Sequence, residues 1–155
     1  MQQFIGTKQV MLLPMSRAEY NHYRGWQLPD NENGDDEGYL VEYTDGGQPN
    51  DDRHVGYISW SPKAQAEAAY RPLTAMTFGD ALILLKAGQR VARAGWNGKG
   101  MWLKLVPAEL ADAVAFQHEA LHPLPWIGMK TADQGFVPWL ASQTDMLAED
   151  WQVVN

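Results

Sequence analysis

The sequence predicts an α+β protein of two small modules, each with short antiparallel strands packed against helices. Three observations carry this expectation. Short alternating apolar runs recur between turn-forming residues, helix start and stop signals fall between those runs, and RPLTAM at 71–76 separates two such sets. The expected modules are residues 1–72 and 76–155. With 155 residues, 45% of them apolar, and seven tryptophans, the chain has material for a real core.

In the first module, residues 4–15 read as partly extended. Ser16-Arg17-Ala18-Glu19 is a capping box opening a helix to about Arg24, with Gly25 as its stop. A turn-rich acidic loop follows, PDNENGDDE at 29–37. Gly38 to Tyr43 and Val55 to Trp60 are strand-like, separated by a longer loop. Ser61-Pro62 then reads as a helix start, serine capping and proline in the first turn, with the helix reaching Tyr70.

In the second module Thr77 caps a helix in which Phe78, Ala81, Leu82 and Leu85 follow helical spacing, and Gly88 ends it. Arg90 to Trp96 and Met101 to Val106 alternate as strands, with Val91, Arg93, Met101, Leu103 and Leu105 on one set of faces and the turn signature Asn97-Gly98 between. Pro107 to His122 has helical composition and stops at Pro123. Ile127 to Thr131 and Gln134 to Trp139 form a hairpin through Ala132-Asp133, with Gly135 close by. Either Ser142 or Thr144 caps a short helix whose first turns run from Met146 to Asp150, and Trp151 to Val154 alternates as a final strand.

Charge and composition exclude several functions. The net charge is −7, and neither side of Ala75 is basic: six basic against eleven acidic residues before the break, six against eight after it. Binding DNA or RNA needs lysine and arginine to neutralise phosphates, so no nucleic-acid partner is expected unless the fold gathers a small basic patch. A small anion needs only a few backbone N–H groups and a cation or two. No cysteine is present, which removes disulfide, thiolate and iron–sulfur chemistry. The N-terminus lacks the pattern of a secretory signal, and no apolar run approaches the roughly 18 residues of a membrane span, so a cytosolic protein without membrane contact is expected.

Three motifs suggest metal or phosphate chemistry. The acidic loop places Asp30, Glu32 and Gly34 at alternating positions, but it misses the calcium-loop order and has Val41 where the twelfth-position glutamate belongs; a solvated loop is the reading preferred. His118-Glu119-Ala120-Leu121-His122 matches the H-E-x-x-H zinc pattern. Against it, Pro123 pushes His122 away from helical geometry, no later histidine supplies a third ligand, and little chain remains for a substrate cleft, so no metal and no cofactor is expected. Gly95-Trp96-Asn97-Gly98-Lys99-Gly100 has the small residues and cation of a phosphate loop, yet it joins two strands and reads first as a hairpin turn. The helix start at Ser142 to Asp145 is also an anion candidate, flanked by Trp139 and Trp151.

From Met76 onward, GWNGKGM and MKTADQGFVPWLASQTDMLAEDW resemble the Thoeris anti-defence two family of phage proteins, across about half the chain. One departure is Gln134, where the family pattern has glycine directly after the aspartate; the segment 107–125 is variable in the family. The first seventy residues resemble a module fused in phage proteins, of no known activity. The resemblance implies sequestration and not catalysis: a sponge that binds cyclic ADP-ribose isomers, in some members also cyclic dinucleotides at separate sites, and denies these signals to Thoeris-type or CBASS-type immunity in the cytoplasm of the infected bacterial host. It also implies a homo-oligomer, a tetramer, with pockets between subunits.

The residue chemistry suits such a ligand. A cyclic ADP-ribose isomer offers a purine face, ribose edges and a pyrophosphate. Trp96 is the expected stacking platform, since a bulky aromatic beside a glycine-rich turn has little core to enter, and Asn97 is placed to hydrogen-bond base or ribose. Trp139 is a second aromatic, between core and pocket. Ser142, Thr144 and Asp145 are candidates for ribose or phosphate, though the last two would equally serve only to cap their helix. Arg93, Lys99 and Lys130 are the available cations, with ordinary surface pairing as the alternative for Arg93 and Lys130. Trp102 and Trp151 are assigned to the core. Two other function classes stay open: a nucleotide hydrolase, and a protein-interaction module acting through the aromatics of the first seventy residues.

Overall fold

Ser16 opens the first helix as its local sequence dictates. Its hydroxyl accepts from the Glu19 N–H (3.2 Å) and its own N–H donates to the Glu19 carboxylate (2.6 Å), so two N-terminal donors are satisfied reciprocally. The computed structural model describes residues 1–96, 100–111 and 124–155. It divides into two compact units, Met1–Tyr70 and Arg71–Asn155. Their order of elements and two antiparallel sheets make the chain α+β, as expected.

The first unit runs β1 (Val10–Pro14), α1 (Arg17–Arg24), β2 (Gly38–Tyr43), β3 (Tyr57–Pro62), α2 (Lys63–Ala69). The strands pair antiparallel in the order β1-β2-β3. Tyr20 of α1 packs on Leu40 and Ile58, and α2 contributes the buried Ala66. One expectation fails here: Ser61 caps nothing. Its backbone is committed to the ladder opposite Tyr39, the strand continues to Pro62, and α2 starts at Lys63 without a side-chain cap. Glu37 replaces the cap, its carbonyl accepting from the Lys63 N–H (3.0 Å) and its carboxylate from the Lys63 ammonium (2.7 Å). In the acidic loop, Glu32 and Asp36 both turn to Arg17 (2.9 and 3.2 Å), whose guanidinium lies 4.3 Å from the Trp60 ring centre.

The second unit runs α3 (Phe78–Lys86), β4 (Arg90–Arg93), β5 (Trp102–Val106), α4 (Ala108–Ala111), β6 (Trp126–Lys130), β7 (Phe136–Pro138), α5 (Gln143–Met146), β8 (Trp151–Val154). Thr77 and Asp80 form the capping box of α3. The sheet order is β7-β6-β5-β4-β8, every neighbour antiparallel. Alternation along the strands sends Val91, Leu103 and Trp151 to the face on which Ala81, Leu84 and Leu85 of α3 pack, and these residues with Met76 form the core. Trp151 is fully buried, as assigned. Trp102 is not core: it stands one position out of phase with Leu103, on the opposite face, and is half-buried.

Several boundaries are shorter than the sequence suggests. β4 stops at Arg93 because Asp150 captures the next residues: its carbonyl accepts from Ala94 N–H and its carboxylate from Gly95 N–H, both at 3.0 Å. β7 ends at Pro138, although the next residue still bonds to β6, the Trp139 N–H donating to the Ile127 carbonyl (2.9 Å). Ser142, not Thr144, caps α5, and that helix closes at Met146. The segment carrying the HEALH pattern lies outside the described residues, as does the Asn97-Gly98 turn. Among the described residues no group of three or more metal-ligating side chains occurs, and no helix is long and apolar enough to cross a membrane.

Candidate functional site

The chain leaves β4 through Arg93 and turns at once, so Trp96 swings back over the sheet end. There it meets Trp151 edge-on (ring centres 5.5 Å apart) and Trp139 (6.4 Å), and Trp139 in turn contacts Trp151 (6.0 Å) and Phe78 (5.9 Å). The four rings come from the first turn of α3, the turn after β4, the chain after β7, and the start of β8. Trp151 is the buried floor, while Trp96 and Trp139 are half-buried and keep part of their rings open. Edge-to-face packing of this kind fixes the indoles without using up both faces of each.

Arg93 holds the arrangement from below. Its guanidinium donates to Asp150 (2.7 Å) and to Asp145 (3.0 Å), tying β4 to the residue before β8 and to the first turn of α5. The arginine is 18% exposed, so water screens these pairs only partly. Hydrogen bonds from Arg93 hold the Asp150 carboxyl below the usual range, against burial. For Asp145, burial raises the pKa, but hydrogen bonds from Ser142 and Arg93 overcome it and the net direction is down. The two aspartates raise Arg93 in return. Trp151 joins the same network, its indole N–H donating to the Asp145 carbonyl (3.0 Å).

This geometry reassigns the start of α5. Ser142 Oγ donates to the Asp145 carboxylate (2.7 Å) and accepts from the Asp145 N–H (3.1 Å). The anion position at this helix start is therefore filled by the chain's own carboxylate, and α5 has only four residues. Thr144, released from capping, is exposed. Lys130 is the residue the structure does not bring to the group: register puts it on the sheet face opposite to Arg93, where its ammonium donates to the Gly100 carbonyl (3.0 Å). Asn97 and Lys99 lie outside the described residues. Phe78 and Asp150 belong to the group and were not anticipated. Asp150 faces Arg93 only because β8 pairs with β4 across 57 residues, which no local pattern announces.

Two apolar side chains beside the group stand almost free of contact, Leu140 at 91% and Leu147 at 81% exposure. An exposed apolar pair next to half-open aromatics is the kind of surface another protein surface covers. The more evident clefts are elsewhere, in the first unit; one, of about 420 Å³, runs beside β3 and is lined by Arg17, Tyr20, Trp26, Asn50 and Trp60.

Comparison with known proteins separates the two units. Residues 76–154 match the family model of the Thoeris anti-defense 2-like domain. The chain is also similar to Thoeris anti-defense 2 of Bacillus phage SP01, with 45% identity over 87 residues, covering 53% of this chain and 98% of that protein.

Proposed function

The chain belongs to the Thoeris anti-defense 2-like family, and we propose that it is a phage anti-defence protein that binds cyclic nucleotide immune signals and holds them unaltered. The observation that carries this reading is the extent of the likeness: nearly the whole of the phage SP01 protein aligns with this chain, and residues 76–154, matched by the family model, contain every member of the aromatic group and of the Arg93 clasp. Cyclic ADP-ribose isomers are the proposed ligands, with cyclic dinucleotides as a second class.

In this reading Trp96 and Trp139 present the open indole faces against which a purine stacks, a contact worth about 1–3 kcal/mol per base. Asn97, Thr144 and Ser142 supply hydrogen bonds to ribose, and Lys99 supplies charge to the pyrophosphate; Lys130, on the opposite face of the sheet, takes no part. Arg93 and Asp145 act mainly by fixing the turn that carries Trp96, because each is already engaged by the other. The same pairing argues for capture over turnover. A carboxylate serving as general base works best with its pKa near the operating pH, whereas the two carboxylates of this group, Asp145 and Asp150, are both held low. A homo-oligomer, by family resemblance a tetramer, would close the site with a second copy over Leu140 and Leu147. The setting is the cytoplasm of an infected bacterium.

The test is stoichiometric capture. Purified protein in excess is mixed with cyclic ADP-ribose isomers and cyclic dinucleotides, filtered, and the retained fraction is heated. Depletion of a nucleotide from the filtrate and its intact recovery after heating is the expected result. Recovery as a different product would make the protein an enzyme, and a filtrate containing every nucleotide undiminished would overturn the reading.

A further inference from the structure

The five strands of the second unit contain no acidic residue, although the chain carries a net charge of −7. Their basic residues divide by face. Arg93 lies on the core side and is neutralised by Asp145 and Asp150. Arg90, Lys104 and Lys130 lie on the other side, and among the described residues none of the three joins an ion pair. Between them stand Trp102, Trp126 and Phe136. Register makes a row across three strands, Trp102 opposite Lys130 and Lys130 opposite Phe136, with Lys104 opposite Gly128 in the next row. The Phe136 ring lies 6.0 Å from Trp102 and 5.7 Å from Trp126, and the Arg90 guanidinium is 5.2 Å from the Trp102 ring.

The small residues of this face let the aromatics lie flat. A Cβ on Gly128 would sit 2.2 Å from Phe136 Cζ, so only glycine allows that ring to cross the strand. Phe136 is nevertheless 47% exposed. A sheet face with aromatics interleaved among cations and no carboxylate on its strands is a stacking platform with phosphate partners, the combination that binds unpaired nucleotides without reading their sequence. We propose that this face of the second unit binds single-stranded nucleic acid. The net charge of the chain spoke against such a partner; its segregation by the fold supplies the local basic patch that the partner requires. The surface is on the opposite side of the sheet from the Trp96 group, so it does not depend on the signal-binding reading.

The test uses the full chain and a labelled oligo-dT of about fifteen nucleotides, followed by fluorescence anisotropy in rising salt. Three phosphate contacts predict that log affinity falls against log salt with a slope of about −2. Lys104→Glu should weaken binding about tenfold at low salt and flatten the slope by about 0.7, while Phe136→Ala should weaken it about tenfold with the slope unchanged. Phe136→Leu, which keeps an apolar contact with its neighbours, should lose nearly as much, and circular dichroism establishes that each variant is folded. Duplex DNA of equal length should compete poorly because its bases are hidden. The proposal is overturned by no binding at low salt, by unaltered affinity in both Lys104→Glu and Phe136→Ala, by equal competition from duplex or from free mononucleotide, or by variants that change only the subunit number in light scattering. Capture of cyclic nucleotides by Lys104→Glu should match the parent chain, so failure of one reading is distinguishable from failure of the other.

Discussion

Gln134 is the one described non-glycine residue with positive φ, at 72°, and replacing it by glycine should stabilise the protein. The residue sits in the β6–β7 hairpin, where its N–H donates to the Thr131 carbonyl (3.2 Å) and Thr131 N–H donates to the Gly135 carbonyl (2.9 Å). These bonds fix the left-handed geometry, which costs a residue with a Cβ about 1–2 kcal/mol. The exposed Gln134 side chain offers no described hydrogen bond in return. Glycine removes the strain but adds about 0.4–1 kcal/mol of unfolded-state freedom, leaving a net gain of about 0.5 kcal/mol. In urea that moves the midpoint up by roughly 0.3 M for a slope near 2 kcal/mol/M. Gln134→Ala is the decisive control, since it deletes the same side chain and keeps the Cβ. It should gain nothing. A Gln134→Gly chain no more stable than Gln134→Ala would show that the hairpin carries no strain at this position. Glycine is what this backbone would choose at position 134.

Trp96→Ala should abolish nucleotide capture while the chain still melts cooperatively, and Trp96→Phe should retain part of it; filtration with mass spectrometry of the filtrate measures both. Trp151→Ala should cost about 3–5 kcal/mol, enough to unfold the second unit in thermal melts, because it empties the floor of the core. Asp150→Asn should cost about 1 kcal/mol at neutral pH, a modest figure because the carboxylate is 35% exposed. Its pH dependence has a definite sign. A carboxyl whose folded pKa is depressed contributes fully above its unfolded value, near 3.9, and loses that contribution as pH falls through the folded one, so Asp150→Asn should flatten the acid limb of stability below about pH 4. Leu140→Asp with Leu147→Asp should lower the subunit number seen by light scattering; an unchanged mass would place the oligomer contact elsewhere.

What the sequence made legible was local. Ser16 with Glu19 and Thr77 with Asp80 were readable because a capping box is complete within four residues, and Gly25 and Gly88 because a left-handed stop needs no distant partner. Ser61-Pro62 has the same local grammar and misled, since a ladder with Tyr39 outbid the cap. Trp102 misled for a related reason. Alternation shows that Trp102 and Leu103 face opposite ways but not which of the two faces α3 covers, and the larger apolar residue is not always the buried one.

The aromatic group and the clasp were legible only in part because each depends on strand order. Trp96, Trp139 and Trp151 were all visible as unusual residues, yet their convergence requires β8 to return beside β4 and not beside its sequence neighbour β7. That same pairing sets Asp150 where it stops β4, neutralises Arg93 and steers Trp96 off the strand. A single topological choice thus supplies the platform, its support and its electrostatics together. It also explains the division of charge. With the core-side arginine consumed by two aspartates, the remaining strand cations are left on the far face with no carboxylate among the strands to oppose them. An acidic protein acquires a locally basic sheet face without any basic run in its sequence, and net charge alone could not have revealed it.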